Sequence, residues 1–493
     1  MFDCVVIGLG GVGSFALRSV ARDMKKMKKT AATTTASDSE AAGTSDRRSA
    51  KILGLERHEV GHSRGSSHGK SRVYRKAYFE HPSYVPWCQY SEDEFRALEK
   101  SANVRLLERC GVLVVAPARR RSLLDACVGA ANQHNIPIEE LATAAELRSR
   151  FPQYRYIGAG EDDDDMAGVY EPGGGMVRPE RAANAALREA QEVDGVDVLV
   201  WDHCRVLSME EKNVKKTGSG ALHDGDGGGD STSDDTYVEL VLLRKEKKNS
   251  KRHPGTPYTS ESNAIVEARK VVVAAGAWTS DILPSWGPHL KPIRILQSWV
   301  DISNAAAGGG TSSTGNSKDG PLSLYGVSRM PCAVMVNPDE LPVPVYCLPA
   351  DPDADEADDE SDRPDKYRTC IKLGIHGDVG GRGRIDPDEN YRTEVTAEEQ
   401  RHVDSAIRSA LHADVSSQLP CVETRPCMYT MTEDENFMVG VPDGYTKVCA
   451  VAGLSGHGFK MAPALGQMLA DFATGKGLDR WNAGFCSPKR FGV

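Results

Sequence analysis

Short apolar runs and longer amphipathic segments alternate along most of the chain. The apolar runs lie at 5–7, 52–55, 111–115, 196–200, 271–275 and 448–452. Runs of this length, bounded by polar or glycine positions, are typical of buried strands. Helical patterns lie between them at 85–101, 122–133, 180–192 and 396–412, and a last helix follows residue 453. The alternation predicts an α/β fold.

Four polar segments of low complexity interrupt this pattern. They lie at 23–50, 209–236, 303–320 and 350–365. Segments of such composition bury too little apolar surface to offset the entropy that is lost on ordering. We predict that all four are mobile insertions.

Composition narrows the class of protein. The 493 residues predict two to three domains, and the net charge of −10 argues against a nucleic-acid partner. No apolar run approaches the roughly 20 residues that span a bilayer. Twelve cysteines without a C-x-x-C pair favour reduced thiols and predict no metal site. We expect a cytoplasmic or peroxisomal protein, with no secretion signal and no Ser-Lys-Leu type C-terminus.

A glycine-rich turn follows the first predicted strand. Gly8, Gly10 and Gly13 form G-x-G-x-x-G, in which glycines permit a tight turn and a close approach to a pyrophosphate at a helix N-terminus. Glu56 ends the second predicted strand, where a carboxylate holds ribose hydroxyls, and the 23–50 insertion explains its unusual distance from Gly13. The pattern predicts a bound dinucleotide rather than a ligand-free turn. Glutamate would repel the 2′-phosphate of NADP, so FAD and NAD remain.

Three further stretches resemble one family. "GSSHGKSRVYRKAY" (65–78), "RPCMYT" (425–430) and "GLSGHGFK" (453–460) are similar to the monomeric sarcosine oxidase family of D-amino-acid-oxidase-like flavoproteins, and closest to its sarcosine/pipecolate branch. The resemblance implies a Rossmann-like FAD-binding domain interleaved with an α+β substrate cap domain. We assign 1–80, 155–285 and 420–485 to the FAD domain, and 85–150 and 290–420 to the cap.

The resemblance also implies how the flavin is held. Cys427 matches the cysteine that forms a thioether to the 8α-methyl carbon of the flavin. A nearby cation should lower the pKa of that thiol, and the resemblance favours Arg72 over Arg425. His68 matches a histidine near the flavin. Two glycines, Gly456 and Gly458, would let backbone N–H groups approach its N1 and O2 atoms.

The same family pattern assigns the substrate pocket. Arg75 and Lys460 match a clamp for the substrate carboxylate, in which arginine gives bidentate hydrogen bonds and lysine a point charge. Tyr346 and Tyr429 match pocket tyrosines, although the family has two adjacent tyrosines where this chain has Val345 before Tyr346.

The remaining matches concern catalysis. His376 matches a histidine beside the substrate, and Lys372, four residues earlier, matches the lysine that promotes reaction with O2 through its positive charge. A pocket crowded with cations, Arg72 among them, would lower the pKa of the substrate ammonium and favour the neutral amine that loses hydride.

These inferences predict a flavoprotein oxidase of small secondary amino acids such as sarcosine or L-pipecolate. Hydride passes to FAD, and O2 returns as H2O2. The partners would be the amino acid and O2, with no membrane, and we expect a monomer. Fructosyl-amino-acid and N-methyl-aromatic amino acid oxidation remain alternatives within the family. An NAD-dependent dehydrogenase and a non-catalytic flavin-binding scaffold remain alternatives outside it.

Overall fold

The computed structural model describes residues 1–37, 49–156, 165–213, 236–247, 258–303, 322–336, 344–353, 367–378, 380–412 and 421–493. Most of the four predicted insertions therefore lies outside the described residues. At their edges, residues 23–37, 50, 209–213 and 236 belong to helices or strands. No helix in the described ranges is long and apolar enough to span a membrane.

The helices and strands follow the predicted alternation. The helices are α1 (Gly11–Ser37), α2 (Tyr84–Ala102), α3 (Arg121–Gln133), α4 (Ala144–Arg150), α5 (Pro179–Gln191), α6 (Thr279–Ile282), α7 (Leu322–Tyr325), α8 (Pro387–Asn390), α9 (Ala397–Ala410) and α10 (Ala462–Ala473). The strands are β1 (Phe2–Ile7), β2 (Ala50–Leu55), β3 (Arg72–Tyr74), β4 (Leu107–Glu108), β5 (Val112–Pro117), β6 (Glu139–Leu141), β7 (Met166–Glu171), β8 (Gly175–Val177), β9 (Val196–Trp201), β10 (Cys204–Asn213), β11 (Thr236–Lys247), β12 (Tyr258–Val273), β13 (Lys291–Asp301), β14 (Cys332–Met335), β15 (Val345–Leu348), β16 (Cys370–Ile375), β17 (Cys421–Met431), β18 (Met438–Gly440) and β19 (Val448–Ala452).

The first sheet has a parallel centre. Its order is β10-β11-β12-β1-β2-β9, and β19 pairs with β12 in parallel. Side chains alternate between two faces. Cys4 and Val6 face a cluster built with α1, α2, α5 and α10, whereas Val5 and Ile7 face a second cluster that contains Trp286. This is the arrangement of a Rossmann-like layer, with the carboxyl ends of β1 and β2 at one edge.

A second, mixed sheet stands beside the first. Its order is β17-β13-β16-β15-β14-β5-β7-β6, and one face packs against α4 and α9. A small sheet, β3-β8-β4, carries Arg72 at the start of β3. The two large sheets, built from interleaved parts of the chain, confirm the predicted fold class.

Two strands of the ranges assigned to the FAD domain pair within the second sheet. β7 and β17 join the second sheet, although the predicted FAD domain included 155–285 and 420–485. The division of the chain into two domains stays a prediction.

The first predicted insertion begins too early. α1 continues to Ser37, so residues 23–37 are helical rather than a mobile loop. Lysine, methionine and alanine in this stretch are good helix formers. Buried Asp23 anchors the helix, because it accepts a hydrogen bond from Gln467 at 2.9 Å and pairs with Lys476. Likewise, residues 209–213 continue β10.

Candidate active site

The glycine turn connects β1 to α1 in a space that side chains would fill. Gly8 has a φ of +86°, and a Cβ at Gly8 would lie 2.6 Å from the Ala274 carbonyl oxygen. A Cβ at Gly13 would lie only 1.7 Å from the Gly8 carbonyl oxygen. Gly10 is less crowded, since its nearest neighbour would be Ser67 Oγ at 3.2 Å. The turn is therefore as tight as the sequence predicted.

Glu56 connects the end of β2 to this turn. Its carboxylate accepts hydrogen bonds from the N–H groups of Leu9 at 2.9 Å and His58 at 3.0 Å, and His62 Nε2 lies 3.3 Å away. Burial opposes ionisation of this carboxyl, but the contact with His62 and the backbone N–H groups together hold its pKa below 4.5. A buried anion thus lies beside the glycine turn.

A long cleft begins at the turn and Glu56. It has an empty volume of about 1670 Å³ and extends past Trp278, Arg72 and Tyr429 to Gly456. One end is therefore the nucleotide-binding edge of a Rossmann-like sheet, and the other end lies at the second sheet. The glycines and the acidic residue at its first end fit a dinucleotide.

Segment 65–72 lies between the turn and the second sheet. Ser67 Oγ accepts the Gly11 N–H at 3.0 Å, and Ser66 Oγ donates to the Met428 carbonyl at 2.8 Å. Arg72, which lines the cleft, donates to the carbonyl oxygens of Ser66 at 2.8 Å and His68 at 2.5 Å. Its guanidinium therefore holds this segment in place.

Cys427 lies behind the same segment. Its thiol is buried on β17 and lies 4.0 Å from the Gly65 carbonyl oxygen. Gly65 and Tyr429 line the cleft, so the sulfur lies close behind its wall. Asn390 Nδ2 donates to the Cys427 carbonyl at 3.1 Å. The other candidate cation, Arg425, pairs with Glu423 and donates to the Tyr367 hydroxyl.

His68 and Lys372 are buried together at the inner side of segment 65–72. Lys372 Nζ donates to the carbonyl oxygens of Gly69 at 2.6 Å and Ser71 at 2.7 Å. Burial, followed by the charge of Arg72, lowers the pKa of Lys372 well below 10.5. The same causes lower the pKa of His68 to about 3, so its imidazole is neutral. Neither ring nitrogen of His68 has a hydrogen-bond partner within the described residues.

His376 directly follows β16, and its ring contacts that of Tyr429 on β17. The Tyr429 hydroxyl lies 3.3 Å from His376 Nδ1, and a Cβ at Gly456 would contact both rings. Burial lowers the pKa of His376 to about 4. Burial and the neighbouring Tyr346 raise the pKa of Tyr429 well above its usual range. The structure thus brings these three side chains and the Gly456 turn together.

Arg75 is engaged within the protein. Its guanidinium donates to both carboxylate oxygens of Glu80, at 2.7 and 2.8 Å, and to the Ala77 carbonyl at 2.8 Å. It also stacks between the rings of Tyr78 and Phe79. Burial opposes ionisation of Glu80, but Arg75 holds its pKa at about 2. A substrate carboxylate would have to compete with Glu80 for Arg75.

Lys460 lies beside this pair. Its ammonium donates to the Tyr78 hydroxyl at 3.2 Å and the His457 carbonyl at 3.0 Å. Burial, then the charge of Arg75, lowers the pKa of Lys460 to about 8. His457 Nε2 lies 3.1 Å from the Glu435 carbonyl, which only accepts, so Nδ1 accepts from Tyr78 at 2.7 Å. Two of the three Lys460 protons are thus assigned, and one is available to a ligand.

A comparison with known families identifies the family to which the chain belongs. Residues 3–472 match the family model described as DAO, FAD dependent oxidoreductase. The chain belongs to this family. FAD is therefore favoured over NAD for the cleft, and the glycine turn and Glu56 that line it fit that cofactor.

Similar proteins support the same framework. The chain is 25% identical to an N-methyl-L-tryptophan oxidase of Citrobacter koseri over 86% of this chain and 89% of the relative, and 26% identical to one of Yersinia pestis over 84% and 86%. It superimposes on NikD, an unusual amino acid oxidase essential for nikkomycin biosynthesis, with a TM-score of 0.62 at 17% identity. The match covers 99% of this chain and 97% of NikD. The TM-score with glycine oxidase from Geobacillus kaustophilus is 0.60 at 13% identity, over 99% of this chain and 98% of the glycine oxidase. At these identities the structures show the fold.

Some residues of this flavoprotein site were not predicted. Glu80 pairs with Arg75, and Tyr78 and His457 hold Lys460. Tyr78 and His457 lie within stretches 65–78 and 453–460, which resemble the family, so the sequence could have indicated both. No sequence pattern indicated Glu180, which accepts the Gly69 N–H at 2.6 Å and so helps to hold segment 65–72.

Proposed function

We propose that this chain is an FAD-dependent oxidase of small secondary amino acids, N-methylated or cyclic, that releases H2O2. The observation that carries the proposal is a buried group of polar side chains beside Tyr429 and Gly456, which line one end of the cleft. Lys460 and Arg75 supply positive charge there, and His376 and Tyr429 supply hydrogen-bonding groups. Perturbed pKa values at a cleft favour a catalytic site over a structural one.

The substrate carboxylate would bind first to Lys460. Its third N–H has no partner among the described residues, and a carboxylate would stabilise the positive charge that burial disfavours. Arg75 would join only if it released Glu80. Both contacts select an acidic substrate and orient its amine toward His376 and Tyr429.

The amine would bind in its neutral form. The positive charge of Lys460 opposes a further cation in the pocket, whereas Glu80 balances the charge of Arg75, and His376 is itself neutral at pH 7. Neutral His376 can accept a hydrogen bond from the amine N–H. FAD, when bound, would supply the hydride acceptor for this oxidation, and O2 would be the final electron acceptor.

Lys372 would promote the reaction with O2. It lies at the inner side of segment 65–72, held by two carbonyl oxygens, and carries one further N–H. A fixed cation stabilises negative charge as it develops on oxygen. His68 and Arg72 lie in the same region and complete its electrostatic environment.

Covalent attachment of the flavin through Cys427 is part of the proposal. The position of the sulfur behind Gly65, at the wall of the cleft, supports it. Protein denatured in acid should retain yellow flavin in the precipitate, and the Cys427→Ser variant should release it. The Cys421→Ser variant is the control, because Cys421 lies on the same strand near its beginning.

The test of the activity is H2O2 release in air by the purified yellow protein. Sarcosine, L-pipecolate and N-methyl-L-tryptophan should be compared at equal concentration, with a fructosyl amino acid as a fourth substrate. Peroxide from sarcosine or pipecolate supports the proposal. Yellow protein that oxidises none of the four contradicts it and would favour a non-catalytic flavoprotein.

N-methyl-aromatic amino acids form a second candidate substrate class. The relatives named N-methyl-L-tryptophan oxidase, which match over 84–86% of this chain, favour it. A kcat/KM for N-methyl-L-tryptophan at least tenfold above that for sarcosine would select this class. A monomeric state and a cytoplasmic or peroxisomal localisation stay predictions from the sequence.

A further inference from the structure

Two cysteines that are distant in sequence lie side by side where the neighbouring strands β5 and β14 of the second sheet begin. Cys110 and Cys332 are 222 positions apart, and their sulfur atoms are 3.7 Å from each other. Cys110 precedes β5, and Cys332 begins the parallel strand β14 opposite Val112. The Cys332 N–H donates to the Gly111 carbonyl at 3.0 Å. Backbone pairing therefore fixes both cysteines in place.

The two thiols differ in access. Cys332 is fully buried, whereas Cys110 is partly exposed. Burial and the adjacent Cys110 raise the pKa of the Cys332 thiol well above its usual value of 9. The thiolate is the form that attacks an oxidant, so a small oxidant from solvent would react first at Cys110. Cys332 would then be the neighbouring thiol that reacts with the product.

A third cysteine nearby faces away from this pair. Cys347 lies on the adjacent strand β15 opposite Ala333. Its side chain packs with the cluster of Ala333 and Met335, whereas Cys332 packs in a cluster with Leu348. Alternate residues of a strand point to opposite faces. The sheet therefore separates Cys347 from the pair.

We propose that Cys110 and Cys332 form a peroxide-responsive thiol pair that closes to an intramolecular disulfide. The Cys110 thiolate attacks one oxygen of H2O2, which gives a sulfenic acid and releases hydroxide. The Cys332 sulfur then attacks the Cys110 sulfur, the S–O bond breaks, and water leaves. In total, two thiols lose two electrons and two protons, and one H2O2 becomes two waters.

The geometry requires a small movement. The sulfur atoms must approach from 3.7 Å to about 2.05 Å, which rotation of the partly exposed Cys110 side chain and a small strand shift can supply. The oxidant is the product of the proposed oxidase, so its supply within the protein rests on the proposed function. The thiol pair itself does not.

The location connects the pair to the substrate pocket. Cys332 shares an apolar cluster with Val112, Met176 and Leu348, and Tyr346 packs against that cluster. Leu348 is also the register partner of Lys372 on β16. The bridge would therefore form one layer of side chains away from the candidate catalytic residues.

The test treats purified holoenzyme, without substrate, with a few equivalents of added H2O2. We expect the loss of two titratable thiols, a mass loss of two hydrogen atoms, and one Cys110–Cys332 peptide in a non-reducing digest. Dithiothreitol should reverse all three. Cys110→Ser and Cys332→Ala should lose the response, and Cys421→Ser, which removes another partly exposed cysteine, should keep it.

Three results would overturn the proposal. These are unchanged thiols after treatment, a bridge between other cysteines, or oxidation of Cys110 to sulfinic acid with Cys332 still free. The wild-type digest gives the answer even when a variant fails to fold. Because the peroxide is added, the outcome is independent of substrate turnover, and an inactive protein that forms the bridge would separate the two proposals.

Discussion

Replacing Lys460 by methionine should make the protein more stable and less active. Methionine has a similar length and carries no charge, so it fills the same space beside Tyr78 and His457. The lysine is buried, and its pKa is about 8 instead of 10.5. The protein therefore holds a charge that burial disfavours, which is typical of groups retained for function.

The magnitude follows from the two pKa values. Their difference corresponds to about 3 kcal/mol, by which the charged lysine reduces the free energy of unfolding below pH 8. Loss of the hydrogen bonds to Tyr78 and His457 offsets roughly 1–2 kcal/mol of the gain. We therefore expect Lys460→Met to be about 1–2 kcal/mol more stable at pH 7.

The sign of the pH dependence is fixed by the same values. Below pH 8 the lysine is charged in both folded and unfolded protein, and the penalty is complete. Between pH 8 and 10.5 the unfolded protein binds more protons, so the parent gains stability as the pH rises. At pH 10 the penalty should have fallen below about 1 kcal/mol. The stability that Lys460→Met gains over the parent should therefore shrink or reverse at pH 10.

Urea unfolding at pH 7 and pH 10, at matched flavin content, measures the effect. Lys51→Met is the control, because this exposed lysine lies on β2 and its replacement should change the free energy of unfolding by less than about 0.5 kcal/mol. The kcat/KM of Lys460→Met should fall about 10- to 100-fold through loss of the charged contact. A variant that is less stable at pH 7 and as active as the parent would refute the reasoning.

Three further predictions concern the cofactor turn and the catalytic groups. Gly13→Ala should lose FAD and at least about 3 kcal/mol of stability, since its Cβ would overlap the Gly8 carbonyl. The control Gly129→Ala, on the exposed face of α3, should gain about 0.5–1 kcal/mol of stability. Flavin absorbance and unfolding curves measure both variants. Because the pKa of His376 is about 4, this residue should produce no change of kcat/KM with pH near pH 6.5. A pH dependence near 6.5 that disappears in His376→Asn would contradict the assignment. Lys372→Met should slow reoxidation of reduced enzyme by O2 about 100-fold in stopped flow, with flavin reduction by substrate changed much less.

The nucleotide end of the cleft was predictable because its requirements are local. A tight turn needs glycine at Gly8 and Gly13, and a ribose site needs a carboxylate at the end of the second strand. Both conditions are visible in a few consecutive residues, and the structure places Glu56 beside the turn. The strands that flank the turn were equally clear, since their apolar runs are short and continuous.

The residues of the candidate substrate site could be proposed only through the family resemblance. They come from four distant stretches, and no local pattern connects Arg75 to Lys460 or to His376. The pairing of Arg75 with Glu80 depends on how the chain turns after residue 75, which composition does not reveal. The helical residues 23–37 were predicted as a loop because a polar surface helix and a polar loop can have the same composition. Only tertiary contacts such as those of Asp23 distinguish the two.

The two candidate lysines share an unusual electrostatic position. Arg72 is the principal charged neighbour of Lys372, and Arg75 is that of Lys460. In each case the arginine lowers the pKa of the lysine in addition to burial. Within the described residues, neither ammonium forms a salt bridge with a carboxylate, whereas Arg75 has Glu80. Glu180 and Glu80 act on Lys372 and Lys460 only from beyond salt-bridge distance, so each buried charge is incompletely balanced. Such charge is costly to bury, and the fold gains from it only when further negative charge arrives from outside. A substrate carboxylate at Lys460 and negative charge developing on oxygen at Lys372 would supply it at the two ends of one reaction. The cation pairs therefore favour an oxidase of amino acids over a scaffold that merely retains a flavin.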